Sequence, residues 1–232
     1  MRIDLNADLG EGFGPWAMGD DAALLDIVSS ANVACGFHAG DSVTMRIVCR
    51  MAVERRVAIG AQVSYDDREG FGRRDVDVPP RVLREHVAEQ VGLLCEIAVQ
   101  EGAEVRYVKP HGALYNRVVH DLEQAEAVLL GSGALPVLGL PGSVLLEMAA
   151  ELGREARREG FPDRAYTPEG RLVPRSEPGA VLDDALEIAR RAVELAAGVD
   201  SVCVHGDEPQ AVRHARAVRA ALEESGFELR PW

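Results

Sequence analysis

The feature that most constrains this chain is a regular alternation of short apolar segments with longer helical ones. Strands are expected at 2–8, 31–37, 57–64, 104–109, 135–140 and 201–206, with a weaker, polar candidate at 154–159 that reads as an edge strand. Helical patterns fill the intervals at 20–29, 41–56, 80–101, 121–131, 143–152, 180–197 and 208–225. Asp41 stands where an N-cap belongs, and Pro79–Pro80 sits where the third helix should begin, a position that tolerates proline. Six or seven strand–helix units with strands this apolar require a parallel sheet covered by helices. An open doubly wound sheet and a closed barrel both satisfy that requirement. No linker or low-complexity stretch divides the chain, so residues 1–232 read as one domain.

Composition narrows the partners. Apolar residues make up 47% of the chain, enough for a substantial core, while aromatics are only 5%, so Val, Leu, Ala and Ile must fill it. The formal charge is −13 with no basic run, which argues against a nucleic-acid surface or an anionic membrane. Cys35, Cys49, Cys95 and Cys203 form no CxxC pair and read as free thiols. The first segment carries Asp4 and Asp8 and does not resemble a signal peptide, and no apolar run reaches the roughly 20 residues of a membrane span. A soluble, cytoplasmic protein is the expectation.

The chemistry collects where strands end. Asn6, Asp8 and Glu11 close the first; Asn32, Cys35 and His38 the second; Gln62, Ser64 and Tyr65 the third; Lys109, His111, Tyr115 and Asn116 the fourth; His205 and Asp207 the one near 201. In parallel α/β folds these ends form one rim, where active sites lie. Taken singly, each has an ordinary reading: Asp8 caps a turn, or a histidine hydrogen-bonds in the core. Jointly they point to a cleft. Lys109 is the single lysine among 25 basic residues. Either it is a leftover of an arginine-rich composition, or the site needs a compact ammonium to hold a developing oxyanion. His120, beside Asp121, reads as a helix-start residue. The tract 161–175 is punctuated by Pro162, Pro168 and Gly170, and fits a loop over the mouth as well as a solvated connection.

Familiar catalytic signatures are missing. There is no G-x-S-x-G elbow, and Cys35 between Ala34 and Gly36 reads as a small buried hydrophobe. Asp8, His38, His111, His205 and Asp207 could converge on a metal, but no HExxH or HxH spacing supports one. Glycine-rich loops such as GEGFG (10–14) do not form a P-loop, so a nucleotide would bind by another arrangement.

The strings DLNADLGEGFG (4–14), SANVACGFHAGD (30–41), GAQVSYDDREGFGRR (60–74), VKPHGALYN (108–116), FPDRAYTPEGRLVPRSEPGAV (161–181) and VHGD (204–207) together resemble the LamB/YcsF family, which comprises the A subunits of bacterial ATP-dependent 5-oxoprolinases. The resemblance implies a distorted TIM-like (β/α) barrel, seven-stranded and similar to the glycoside hydrolase and deacetylase fold. It implies an enzyme that opens 5-oxo-L-proline to L-glutamate with ATP, accompanied by magnesium, as co-substrate and with subunits B and C as partners. In that chemistry Lys109 would neutralise charge on the activated oxygen, and Asp8 or Asp207 would orient or deprotonate water. His38 and His111 would donate hydrogen bonds or shuttle protons. Arg73 or Arg74 would grip the substrate carboxylate, or else form a solvated surface pair. Asn6, Glu11, Asn32, Ser64, Tyr65, Tyr115, Asn116 and His205 complete the expected substrate-binding set. One motif departs from the family: the usual G-A-H-P-S-Y reads GAQVSY, with Gln62 and Val63 replacing His-Pro. An amide is a poorer metal ligand and no general base. A metal-dependent amide or deacetylase-type hydrolase without ATP and a non-catalytic small-molecule-binding subunit remain the alternatives.

Overall fold

The computed structural model describes residues 1–14, 18–207 and 210–231. Strands β1 (Arg2–Leu9), β2 (Ser30–Ala34), β3 (Ala58–Val63), β4 (Val105–Pro110), β5 (Val137–Gly139), β6 (Ala156–Gly160) and β7 (Ser201–Val204) pair in parallel in sequence order. β1 pairs with β7 on one side and β2 on the other, closing a seven-stranded barrel. A two-residue β8 (Glu228–Leu229) pairs with Arg2 and Ile3 at the start of β1. Helices α1 (Asp21–Leu25), α2 (Ser42–Arg55), α3 (Pro80–Gln100), α4 (Gly112–Arg117), α5 (Leu122–Gly131), α6 (Val144–Glu151), α7 (Ala185–Ala196) and α8 (Ala211–Glu224) surround it.

Strand alternation sorts the side chains into two populations. Along β1, Ile3, Leu5, Ala7 and Leu9 join the apolar layer under the helices with Val33, Ile59, Val63, Val108 and Val202. The intervening Asp4, Asn6 and Asp8 are buried too, but meet polar groups from other strands. Ser29, Ser30 and Ser201 donate to Asp4. Asn6 donates to Glu159 at 3.0 Å and Ser201 at 2.7 Å, and Asn32 donates to Asn6 at 2.7 Å. The Tyr107 hydroxyl donates to Asn32 at 2.7 Å. The barrel is therefore filled by a hydrogen-bonded polar column. Gly60 makes room for it: a Cβ there would lie 2.2 Å from the Tyr107 ring.

The expected strands are present, with three differences. The polar segment is not an edge strand: β6 lies between β5 and β7, because Glu159 finds its partners inside the barrel. α1 stops at Leu25, since the Ser29 backbone and hydroxyl already bind Leu5 as the chain enters β2. α7 begins at Ala185 rather than 180, where Asp184 caps it by accepting from the Leu186 and Glu187 amides. The stretch 161–184 is instead an irregular strap held by bridges Arg164–Val181 and Tyr166–Leu172. α4 and β8 were not anticipated. The expected start of the last helix at 208–209 lies outside the described residues. Asp41 caps α2 by accepting from Thr44 N at 2.8 Å, α3 begins at Pro80, and the four cysteines are free.

Candidate active site

The column ends at the C-terminal rim in a buried ionic group. Lys109, on β4, is 2% exposed and reaches Asp8 Oδ1 of β1 at 2.9 Å and Glu159 Oε1 of β6 at 3.0 Å. Its nitrogen also lies 3.1 Å from Cys203 Sγ of β7. Burial works against the ammonium, but Asp8, Cys203 and Glu159 outweigh it and hold the lysine well above its ordinary pKa. Burial likewise opposes the Asp8 charge, and Lys109 reverses that, keeping the carboxyl well below its usual range. Asn32 adds a hydrogen bond to Asp8 Oδ1 at 2.9 Å. Two carboxyl groups from different strands thus share one ammonium.

Beside it stands a second cluster. His38 and His111 stack with ring centroids 4.1 Å apart, and the Phe71 edge packs against both. Glu11, His38 and His111 each offer a ligand atom, all within 4.8 Å of one another. They are the residues with which this chain could hold a metal ion. The Gln62 carboxamide lies among them, 3.2 Å from both His38 Nε2 and Glu11 Oε1 and 3.0 Å from His111 Nδ1. Burial lowers the His38 pKa to about 4 and also lowers that of His111. It raises Glu11 to about 7, with Asp8 and Asp207 adding to the rise and His111 opposing it.

A cleft of about 640 Å³ opens over Asp8, Lys109 and His111. Tyr115, Val119, Leu140 and Phe161 give it an apolar wall. Arg73, Arg164, Arg171 and Arg175 bring guanidinium-bearing residues to its lining, the last three from the strap. His205 stacks on Phe161 and is oriented by Asp163, whose Oδ2 lies 2.8 Å from its Nδ1. Burial opposes the Asp163 charge, but His205 keeps its pKa low. The Tyr115 hydroxyl and Glu159 Oε2 lack hydrogen bonds of good geometry, and burial first, then Glu159, pushes the phenol well up.

A family profile, LamB/YcsF, matches residues 3–232. The chain belongs to the LamB/YcsF family. A LamB/YcsF relative, the A subunit of 5-oxoprolinase from Streptomyces griseus subsp. griseus, is 58% identical with 98% of each chain covered. The crystal structure of a lactam utilization protein from Thermus thermophilus superposes with a TM-score of 0.93 at 40% identity, covering all of both chains. A family 4 carbohydrate esterase from Streptomyces lividans, at 10% identity and TM-score 0.54 over 98% of this chain and 91% of its own, shares the fold alone.

Against the sequence expectations, the structure gathers Asp8, Lys109 and His111 at the cleft floor, with Arg73, Tyr115, Asn116 and His205 lining it. Glu11 and His38 lie in the adjoining cluster. Asp207 pairs with Arg73 across the mouth, and Arg73 stacks over Phe71. Burial opposes the Asp207 charge, and His205 and Arg73 lower its pKa. Asn6 and Asn32 are not rim residues but lie lower in the column, because β1 and β2 run on to Leu9 and Ala34. Tyr65 does not face the cleft: its hydroxyl donates to Gln124 at 3.0 Å at the start of α5. Arg74 turns away to Asp67, Nε to Oδ1 at 2.6 Å. Ser64 is buried, with its hydroxyl unpartnered and close to Gly72 rather than in the cleft. Glu159 and the hub role of Gln62 were not foreseen; His120, read as a helix-start residue, does precede the Asp121 cap of α5 but also lines the cleft, and Asp163 belongs to the 161–175 tract that fitted a loop over the mouth. A polar REARRE segment carries no core signature, and only its place between β5 and β7 reveals Glu159.

Proposed function

We propose that this chain is the A subunit of a 5-oxoprolinase, which hydrolyses 5-oxo-L-proline to L-glutamate with ATP hydrolysis, together with subunits B and C. Its relatives support the substrate class: curated proteins at 52–58% identity are named as the A subunit of 5-oxoprolinase, and the Thermus protein is described as a lactam utilization protein. The observation that carries the reading is a buried Asp8–Lys109–Glu159 group at the floor of an arginine-rimmed cleft. That cleft is far larger than one five-membered lactam needs, which leaves space for a second, anionic reactant beside the strap.

A lactam is a stable amide, so its oxygen must become a better leaving group before water can add. Transfer of the terminal phosphoryl group of ATP to that oxygen does this. Water then adds to the ring carbonyl carbon and the ring C–N bond breaks as its nitrogen takes a proton, which leaves an acyl phosphate; a second water displaces phosphate from that acyl carbon and gives L-glutamate. In this scheme Asp8, kept ionised by Lys109, orients the water through its Oδ2, and Lys109 faces the charge on the activated oxygen. Arg73, Arg164 and Arg175 answer the substrate carboxylate and the phosphates. Magnesium would accompany the nucleotide. We place the complex in the cytoplasm, where ATP is supplied; among the described residues no helix is long and apolar enough to cross a membrane.

The test is co-expression with subunits B and C, followed by glutamate release from 5-oxoproline with ATP added or withheld. Release that needs ATP and all three chains supports the proposal. The Glu11–His38–His111 cluster favours one rival, a metal-dependent hydrolase. Release by this chain alone, without ATP and abolished by a chelator, would replace the first reading with that one.

A further inference from the structure

One carbonyl determines the state of the whole histidine cluster. His111 Nε2 lies 3.2 Å from the Phe71 carbonyl oxygen, which can only accept, so Nε2 carries the hydrogen. In a neutral imidazole His111 Nδ1 is then a bare acceptor, and the Gln62 atom facing it at 3.0 Å must be the NH2 group. The same NH2 group reaches Glu11 Oε1 at 3.2 Å. The opposite end of the carboxamide is therefore its oxygen, which accepts from His38 Nε2 at 3.2 Å. His38 Nδ1 is left without a hydrogen, and it has no hydrogen-bond partner.

The carbonyl that starts this chain is held in place at a cost. Phe71 adopts φ +55°, a conformation rare for an aromatic residue, between Gly70 and Gly72. Gly72 must be glycine, since a Cβ would meet Ser64 Oγ at 2.3 Å and His38 Cβ at 2.9 Å. Its carbonyl accepts from Ala113 N at 2.8 Å, which pins the loop to the first turn of α4.

We propose that Gln62 is a positioning residue: with the Phe71 carbonyl, its carboxamide fixes both stacked imidazoles as Nε2–H tautomers and holds Glu11 against them by hydrogen bonds, in the place a metal ion would otherwise take. The distances fit an amide hub. Glu11 Oε1 lies 3.9 Å from both His38 Nε2 and His111 Nδ1, with the amide between. His111 lines the cleft, so its fixed orientation is passed directly to the reacting groups.

The state of the imidazoles is read without any activity assay, by 15N–1H NMR of the full chain labelled at histidine. The expected spectrum shows His38 and His111 each as a single neutral Nε2–H form, unchanged when zinc chloride is added. Gln62→Leu converts the His38 signal to a mixture of tautomers while His111, still bonded to the Phe71 carbonyl, keeps its Nε2–H form; Phe71→Gly, which keeps the carbonyl and relieves the φ strain, preserves both. An Nδ1–H form in the wild-type chain, or zinc-induced coordination shifts at both rings, overturns the proposal. Its link to catalysis rests on the lactamase reading. In the reconstituted complex Gln62→Leu should lower kcat about tenfold with KM little changed, as for outer-shell partners of a reactive group. Correct tautomers with no lactamase activity in the wild-type complex would leave the clamp standing and remove only the lactamase reading.

Discussion

The outer layer of this barrel and its interior are built from neighbouring residues on the same strands, yet they obey different physics. Outside, Leu5, Val33, Val63 and Val202 press against helices and contribute by removing apolar surface from water. Inside, Asp4, Asn6, Asn32, Glu159 and Lys109 contribute little net energy per hydrogen bond. What they fix is arrangement: every member is correct only if its neighbours are. The outer layer should tolerate apolar substitution in proportion to volume. The column should fail abruptly when one partner is taken away.

Lys109→Ala provides the sharpest contrast. It strands Asp8 and Glu159 as buried, unpaired carboxylates and should destabilise the chain by about 4 kcal/mol in denaturant unfolding, besides abolishing glutamate release. Lys109→Ala with Glu159→Gln should recover part of that loss. A double variant no more stable than the single one would show that the column is not electrostatically coupled. Leu5→Ala, one residue from Asp4 but facing the helices, should cost about 3 kcal/mol and leave glutamate release intact at temperatures where the variant is folded.

The pH dependence separates two levels of the column. Burial raises the Asp4 carboxyl from 3.8 to about 6 against the pull of the Ser201, Ser29 and Ser30 hydroxyls. Between about pH 4 and 6 the native state keeps a proton that the unfolded chain has released. This contribution, about 3 kcal/mol, is complete below pH 4 and is lost as pH rises through 6. Asp8 has the opposite sign: its pKa is lowered, so its stabilisation is present above about pH 4 and lost on further acidification. Asp4→Asn should flatten the decline in unfolding free energy between pH 4 and 6; an unchanged slope would show that Asp4 titrates normally. The smallest expected effect lies outside both layers. Asp41→Ala removes the α2 cap and the bond to Gly14 N, and should cost about 1 kcal/mol by thermal unfolding, with catalysis unaffected.

The same division explains what could be read in the sequence. Strands were legible because their outward residues are apolar, and the rim was legible because Asp8, Lys109, His111 and His205 are odd residues to find at the ends of such strands. Glu159 escaped notice because β6 has almost no apolar face; its burial is set by neighbours distant in the chain. Asn6 and Asn32 looked like rim residues because a linear sequence does not show how far each strand continues. Tyr65 follows the last residue of β3 by two positions, where alternation no longer governs direction, and it swings to Gln124. Arg73 and Arg74 are adjacent, and only the strained turn at Phe71 decides which one looks inward.

The Arg73–Asp207 tie joins the loop after β3 to the loop after β7 above the Glu11 cluster. β3 and β7 are not neighbours in the barrel, so this pair is a crosslink between loops that no strand pairing joins. Cutting it would loosen one sector of the rim and leave the backbone bonds of the barrel in place.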